Sequence, residues 1–133
     1  MKPRVLLRIA AVLMLLHDVG HTFGALGWAK PPNPKVGMII SGMQREHFDF
    51  MGRSATLAQF YNGYGISMIV ILLFVAVQLW LLATYPVKAM LLLMGIFLIT
   101  LVICEYVFFF PFAAIFTAIA AICTWISFIK YEK

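Results

Sequence analysis

The chain has 133 residues, 64% of them hydrophobic and only 11% charged, and its mean hydropathy is +1.00. Ordinary soluble domains are about half apolar and a quarter charged, so composition excludes a soluble globular fold and marks an integral membrane protein. The formal net charge of +5 comes from basic residues spread over the ends of apolar runs. With no basic cluster interleaved with aromatics, it speaks for membrane topology and anionic headgroups, not for nucleic acid.

A helix needs about 20 mostly apolar residues to cross the hydrocarbon, and four stretches qualify: residues 5–28, 60–83, 87–110 and 111–129. Backbone groups in lipid must be satisfied internally, which admits helices or closed barrels. Continuous apolar runs without period-two alternation exclude the barrel. The expectation is therefore an all-α membrane protein, a four-transmembrane-helix bundle forming a single membrane domain over residues 1–133. The positive-inside rule puts Lys2, Arg4, Arg8, Lys88, Lys130 and Lys133 inside and Lys30, Lys35, Arg45 and Arg53 outside. Both termini of this multi-pass protein of the cell membrane are then cytoplasmic.

The first span begins like a signal peptide, with Lys2 and Arg4 before an apolar run and Gly27-Trp28-Ala29 in small-x-small form. Its length and its ionisable residues Arg8, His17, Asp18 and His21 predict a retained helix instead. Charged groups near the bilayer centre are costly and mark a functional site by default. His17 and His21 share a face, and Asp18 can meet His21 three residues on. Gly20 and Gly24 form a small-xxx-small pair that predicts close packing of that side against another helix.

In the connection, Lys30-Pro31-Pro32-Asn33-Pro34 cannot continue a helix. Val36, Ile40, Met43, His47 and Phe50 then recur at helical spacing, and Arg45, Asp49 and Arg53 make an i,i+4 ladder on another face. The pattern predicts an extracytoplasmic amphipathic interfacial helix over residues 35–52, with His47 on its apolar side.

The second span brings Tyr61, Asn62 and Tyr64 at its outer end, and Gln78 near its inner end as a routine interhelical group. Along the third, Glu105 falls about 10 Å outside the midplane, and His21 about 6 Å outside it on the first. Cys104 and Cys123 differ too much in depth for a disulfide and are expected as free thiols packed like small apolar groups. Val87 to Ile129 as one helix would be about twice the hydrocarbon thickness, so a turn is required near Pro111. Its surroundings, Tyr106 to Phe112, are almost wholly apolar and predict a turn that is embedded or covered, with the interfacial helix as a lid. In the fourth span Ala114, Thr117, Ala118 and Ala121 line one face; turned outward, that face predicts a homodimer, and turned inward, packing within the bundle.

The stretches Gly20-His21-Thr22-Phe23-Gly24, Phe48-Asp49-Phe50-Met51-Gly52 and Phe60-Tyr61-Asn62-Gly63-Tyr64-Gly65 resemble the signature stretches of a family of small bacterial four-helix integral membrane proteins. The likeness covers roughly the first half of the chain. It implies the architecture and carries no activity.

Three functional readings follow from the polar residues. In the first, a lipophilic small molecule or lipid binds in an outer-half pocket lined by His17, His21, His47, Tyr61, Asn62, Tyr64 and Glu105, the apolar turn closing it. In the second, a membrane acid/base enzyme, isomerase-like, uses Asp18 to orient His21 while His21 and Glu105 exchange a proton with a lipid or isoprenoid substrate. In the third, Asp18 or Glu105 is the membrane carboxylate of a small proton-coupled transporter. The His17-x-x-x-His21 spacing suits zinc but lacks the Glu of the metalloprotease motif and needs a further ligand from another helix. Haem would need a histidine on an opposing span, and none exists. No metal and no cofactor are expected, and there is neither a nucleophile turn nor a phosphate loop.

Overall fold

A computed structural model describes residues 1–131. In chain order its elements are α1 (Pro3–Gly27), α2 (Pro34–Arg45), β1 (His47–Phe50), β2 (Arg53–Thr56), α3 (Leu57–Thr84), α4 (Lys88–Phe108) and α5 (Pro111–Ile129). Helices α1, α3, α4 and α5 are long and apolar enough to cross a membrane. The expected fold of four spans with a short helix between the first two holds. Lys133, counted above among the inner basic residues, lies outside the described residues. Contacts divide the chain into two compact units, Met1–Val19 with Ile71–Lys133, and Gly20–Val70.

In the first unit each helix buries one stripe. On α1, Leu7, Ala10, Ala11 and Met14 are buried at helical spacing, and the stripe continues into His17 and Asp18. On α4 it runs Leu91, Met94, Leu98 and Leu101, and the next step is Glu105. The ionisable groups thus extend the apolar stripes and must be buried with them.

Helix α5 buries small residues, Ala114, Thr117, Ala120, Ala121 and Thr124, which lets α4 and α5 approach more closely than any other two helices. At Gly95 an added Cβ would lie 3.0 Å from the Trp125 ring. The buried hydroxyls of Thr124 and Ser127 donate to the carbonyls of Ala120 and Cys123 at 2.8 Å, and Ser127 shares its one hydrogen with the Pro3 carbonyl of α1 at 3.2 Å. Of the small face of α5, Ala114, Thr117 and Ala121 are buried within the unit and Ala118 is half-buried.

Gly20 and Gly24 depart from expectation. Both are exposed, and a Cβ at either would meet nothing within 4 Å. At about 100° per residue they fall on the flank of the stripe that buries His17 and Asp18, so this side of α1 is not a packing face. Both cysteines are free. Cys123 is buried as expected, but Cys104 is exposed, because it lies one residue, and therefore about 100°, from Glu105 on the buried stripe.

The turn before Pro111 is made by Phe109 and Phe110. Pro111 opens α5 at the first helical position, where its missing N–H removes no helical bond. Phe108, Phe109, Phe110 and Phe112 are exposed, so within its own unit the turn is left uncovered.

In the second unit α2 starts where Asn33 Oδ1 accepts from the Val36 amide at 3.0 Å and Pro34 begins the helix. It stops at Arg45, which corrects the helix expected over residues 35–52. Residues 47–56 form an antiparallel hairpin instead, with Asp49 opposite Ser54 and Phe50 opposite Arg53. The Arg45–Asp49–Arg53 ladder does not form, and His47 is an exposed strand residue. The reason lies in Met51 and Gly52, at φ 53° and 81°. Two successive positive φ values make the two-residue turn that matches strand twist, and aromatic residues at 48 and 50 favour a strand over a helix.

Gly52→Ala is therefore expected to cost about 1 kcal/mol, measured as a lower melting temperature in detergent. Met51→Asn should raise it, since Asn tolerates the left-handed region. Unchanged melting for both would show that the hairpin does not contribute to the cooperative unit.

The hairpin leads directly into α3 through a capping box. The Thr56 amide donates to Gln59 Oε1 at 3.2 Å, and the Gln59 amide donates to Thr56 Oγ1 at 3.3 Å.

Candidate functional site

Two places gather chemistry, one in each unit. In the first unit His17 and Asp18 are each 8% exposed, Glu105 3% and Thr117 0%. His17 Nδ1 shares a hydrogen bond of 3.0 Å with Thr117 Oγ1 and lies 3.6 Å from Glu105 Oε1. The His17 ring also faces Phe116, centroid to centroid 6.4 Å. Helices α1, α4 and α5 each contribute one member, brought together because the three stripes meet at that level.

Among the described residues neither Glu105 oxygen has a hydrogen bond. A carboxylate so placed is costly to ionise unless a cation stands beside it, and the His17 imidazole is the group positioned to become one. Chemically the arrangement sets one imidazole and one carboxyl group, either of which can carry a proton, 3.6 Å apart.

In the second unit His21 Nε2 lies 3.2 Å from the Gly65 carbonyl oxygen. Gly65 permits this approach, since a Cβ there would lie 3.2 Å from Ala25 Cβ. Just past the end of α1, Trp28 Nε1 donates to Asn62 Oδ1 at 2.6 Å, and its ring packs on Tyr61 with centroids 4.7 Å apart. His21, Tyr61 and Asn62 thus tie α1 to the start of α3. Glu105 is thus placed beside His17, and His21 Nε2 beside a backbone carbonyl.

The hairpin lies on α3 through Phe48 and Phe50, which share one strand face. Their rings flank Phe60 at 5.9 and 5.1 Å. His47 Nδ1 is hydrogen-bonded across the hairpin to Ser54 Oγ at 3.0 Å. Beside them is a cavity of about 390 Å³, walled by Phe50, Phe60 and Tyr64 with Arg53, Gln59 and Ser67 as polar members. The capping box holds Gln59 Oε1 on the backbone, which leaves its amide N–H groups as donors.

Of the residues expected to bind a ligand, Tyr64 lines this cavity, whereas His47, Tyr61 and Asn62 have the structural partners just described. Arg53, Gln59, Phe60 and Ser67 were missed. Thr56-Leu57-Ala58-Gln59 has the capping-box spacing and Met51-Gly52 is a turn dipeptide, so a hairpin feeding α3 was within reach of the sequence. Among the described residues no group of three His, Cys, Asp or Glu is placed to hold a metal ion. Compared with family models, curated proteins and solved structures, the chain finds no match.

Proposed function

We propose that this chain is a multi-pass protein of the cell membrane that holds a lipophilic molecule, or a lipid, in the groove between its hairpin and α3. The groove carries this reading: aromatic walls supply apolar contact, and Arg53 with the Gln59 amide offers donors to an anionic or carbonyl group. Its volume falls in the range of small-molecule sites, about 300–1,000 Å³. The basic residues at the helix ends support cytoplasmic termini, with the groove then facing the outer leaflet. The resemblance of residues 20–24, 48–52 and 60–65 to the stretches of the small four-helix bacterial family is the ground for placing the chain in that family.

The test is to purify the chain in nanodiscs from its host membrane and identify retained amphiphiles by mass spectrometry. One species enriched over bulk lipid is expected, with retention about tenfold weaker in Arg53→Gln, the loss of one charged hydrogen bond, and weaker still in Tyr64→Ala. Bulk lipid composition in every sample would reject the reading.

A second reading rests on the buried His17–Glu105–Thr117 group, which suits proton handling. It would act either as the acid and base of an isomerase-like enzyme on a lipid or isoprenoid, or in proton-coupled transport. Product formed from lipid extracts and lost in His17→Ala would favour the enzyme. Uptake driven by a pH gradient and lost in Glu105→Gln would favour the transporter.

A further inference from the structure

A second cavity, of about 280 Å³, lies at the opposite end of the first unit from Glu105, among Arg4, Ala83, Pro86, Lys130 and Tyr131. Three long-range hydrogen bonds build it. Arg4 Nε donates to the Ala83 carbonyl at 3.0 Å, Ser127 Oγ to the Pro3 carbonyl at 3.2 Å, and the Tyr131 hydroxyl to the Pro86 carbonyl at 3.0 Å. They fasten the start of α1, the α3–α4 turn and the end of α5 around one space.

The bond from Arg4 matters most. Ala83 is in the last turn of α3, where helical carbonyls lack intrahelical donors, so Nε satisfies one of them and fixes the guanidinium. Its two terminal nitrogens keep their N–H groups for another acceptor. Lys130, the residue that caps α5, lines the same space with a second cation. In the same unit, Arg8, one turn along α1 from Arg4, lies over the Trp80 ring at 5.3 Å, and Lys88 at the start of α4 lies over the Phe128 ring at 5.7 Å.

Among the described residues none of these four cations forms an ion pair. Along the helices, Asp18 is about 21 Å from Arg4 and Glu105 about 26 Å from Lys88. Among the described residues, this end of the unit is thus a basic pocket with no carboxylate in its lining.

We infer that this pocket binds the phosphate of an anionic lipid headgroup, with Arg4 and Lys130 as its two cationic donors. A fixed guanidinium matches phosphate geometry, and lysine adds a point charge. Basic pockets between membrane helices are suited to such headgroups, and Pro3, Pro86 and the Tyr131 ring, also in the lining, offer apolar surface to the glycerol and the first acyl carbons. No residue of the hairpin groove takes part, so the inference stands apart from the proposed function.

The experiment uses the full chain in nanodiscs of phosphatidylcholine with increasing phosphatidylglycerol, the retained lipid being counted by native mass spectrometry. Lys130→Gln leaves the Arg4–Ala83 bond in place and is expected to weaken phosphatidylglycerol retention about tenfold or more, the loss of a charged hydrogen bond. Arg4→Gln should do the same. Lys2→Gln removes an equal charge that does not line the cavity and should weaken retention no more than about fivefold, the general surface attraction. Retention unaffected by added inorganic phosphate supports a lipid headgroup as the source. Displacement by inorganic phosphate, equally sensitive to Lys130→Gln, supports the same phosphate chemistry with a soluble anion as its source. Equal effects of Lys2→Gln and Lys130→Gln, or equal retention of phosphatidylcholine, would overturn the inference.

Discussion

His17→Leu is expected to destabilise the protein by about 3–5 kcal/mol, the usual consequence of removing one partner from a buried pair. Glu105 is 3% exposed and lies 3.6 Å from His17 Nδ1, so the change leaves a carboxyl in an apolar interior with no imidazole beside it. Thr117, wholly buried, loses its 3.0 Å partner at the same time. Glu105→Leu should cost less, because His17 keeps its bond to Thr117. The double variant His17→Leu with Glu105→Leu replaces the pair by apolar groups and should recover much of the loss, since such replacements are often neutral or stabilising. Unfolding of all four proteins in mixed micelles gives the coupling energy directly. Strict additivity of the two single changes would show that the pair does not interact.

Gly95→Leu is expected to be strongly destabilising. A Cβ alone would already lie 3.0 Å from Cε2 and Nε1 of Trp125, and the indole is a flat, stiff group held between α4 and α5. Overpacking of this kind costs about 1–3 kcal/mol, occasionally more, and here it parts the two helices that approach most closely. Gly95→Ala should be milder, with the indole giving way by a few tenths of an ångström. In a Trp125→Phe background, where the ring is smaller, Gly95→Ala should be tolerated. That background is itself expected to be mild, because the buried indole N–H has no hydrogen-bond acceptor among the described residues to lose. Melting temperatures of the five proteins, wild type included, decide it; equal melting of Gly95→Leu and wild type would exclude a tight α4–α5 contact.

The spans were legible because the requirement that creates them is local. A run of about 20 apolar residues has one way to satisfy its backbone in lipid, so α1, α3, α4 and α5 follow from composition, and Pro111 marks the turn by its own covalent geometry. Residues 47–52 read as helix because a spacing of three and four from Val36 to Phe50 fits one, while the turn at Met51 and Gly52 and the packing of Phe48 and Phe50 on Phe60 favour strands. Periodicity counts apolar positions and does not register a positive φ. The glycines at 20 and 24 were misread for a related reason: small residues permit close approach without requiring it.

Sequence alone therefore determined the membrane class, the four helices and the presence of ionisable groups within them, since each depends on side-chain hydrophobicity and helix rise. Tertiary structure decided the partners. His17 and Glu105 are 88 positions apart in the chain, and only the meeting of the stripes on α1, α4 and α5 brings them within 3.6 Å. His21 was given to the Gly65 carbonyl by the same kind of choice. The hairpin groove and the basic pocket likewise exist where separate elements close on one another, and a side chain's spacing along its own helix carries no information about which neighbour will stand opposite it.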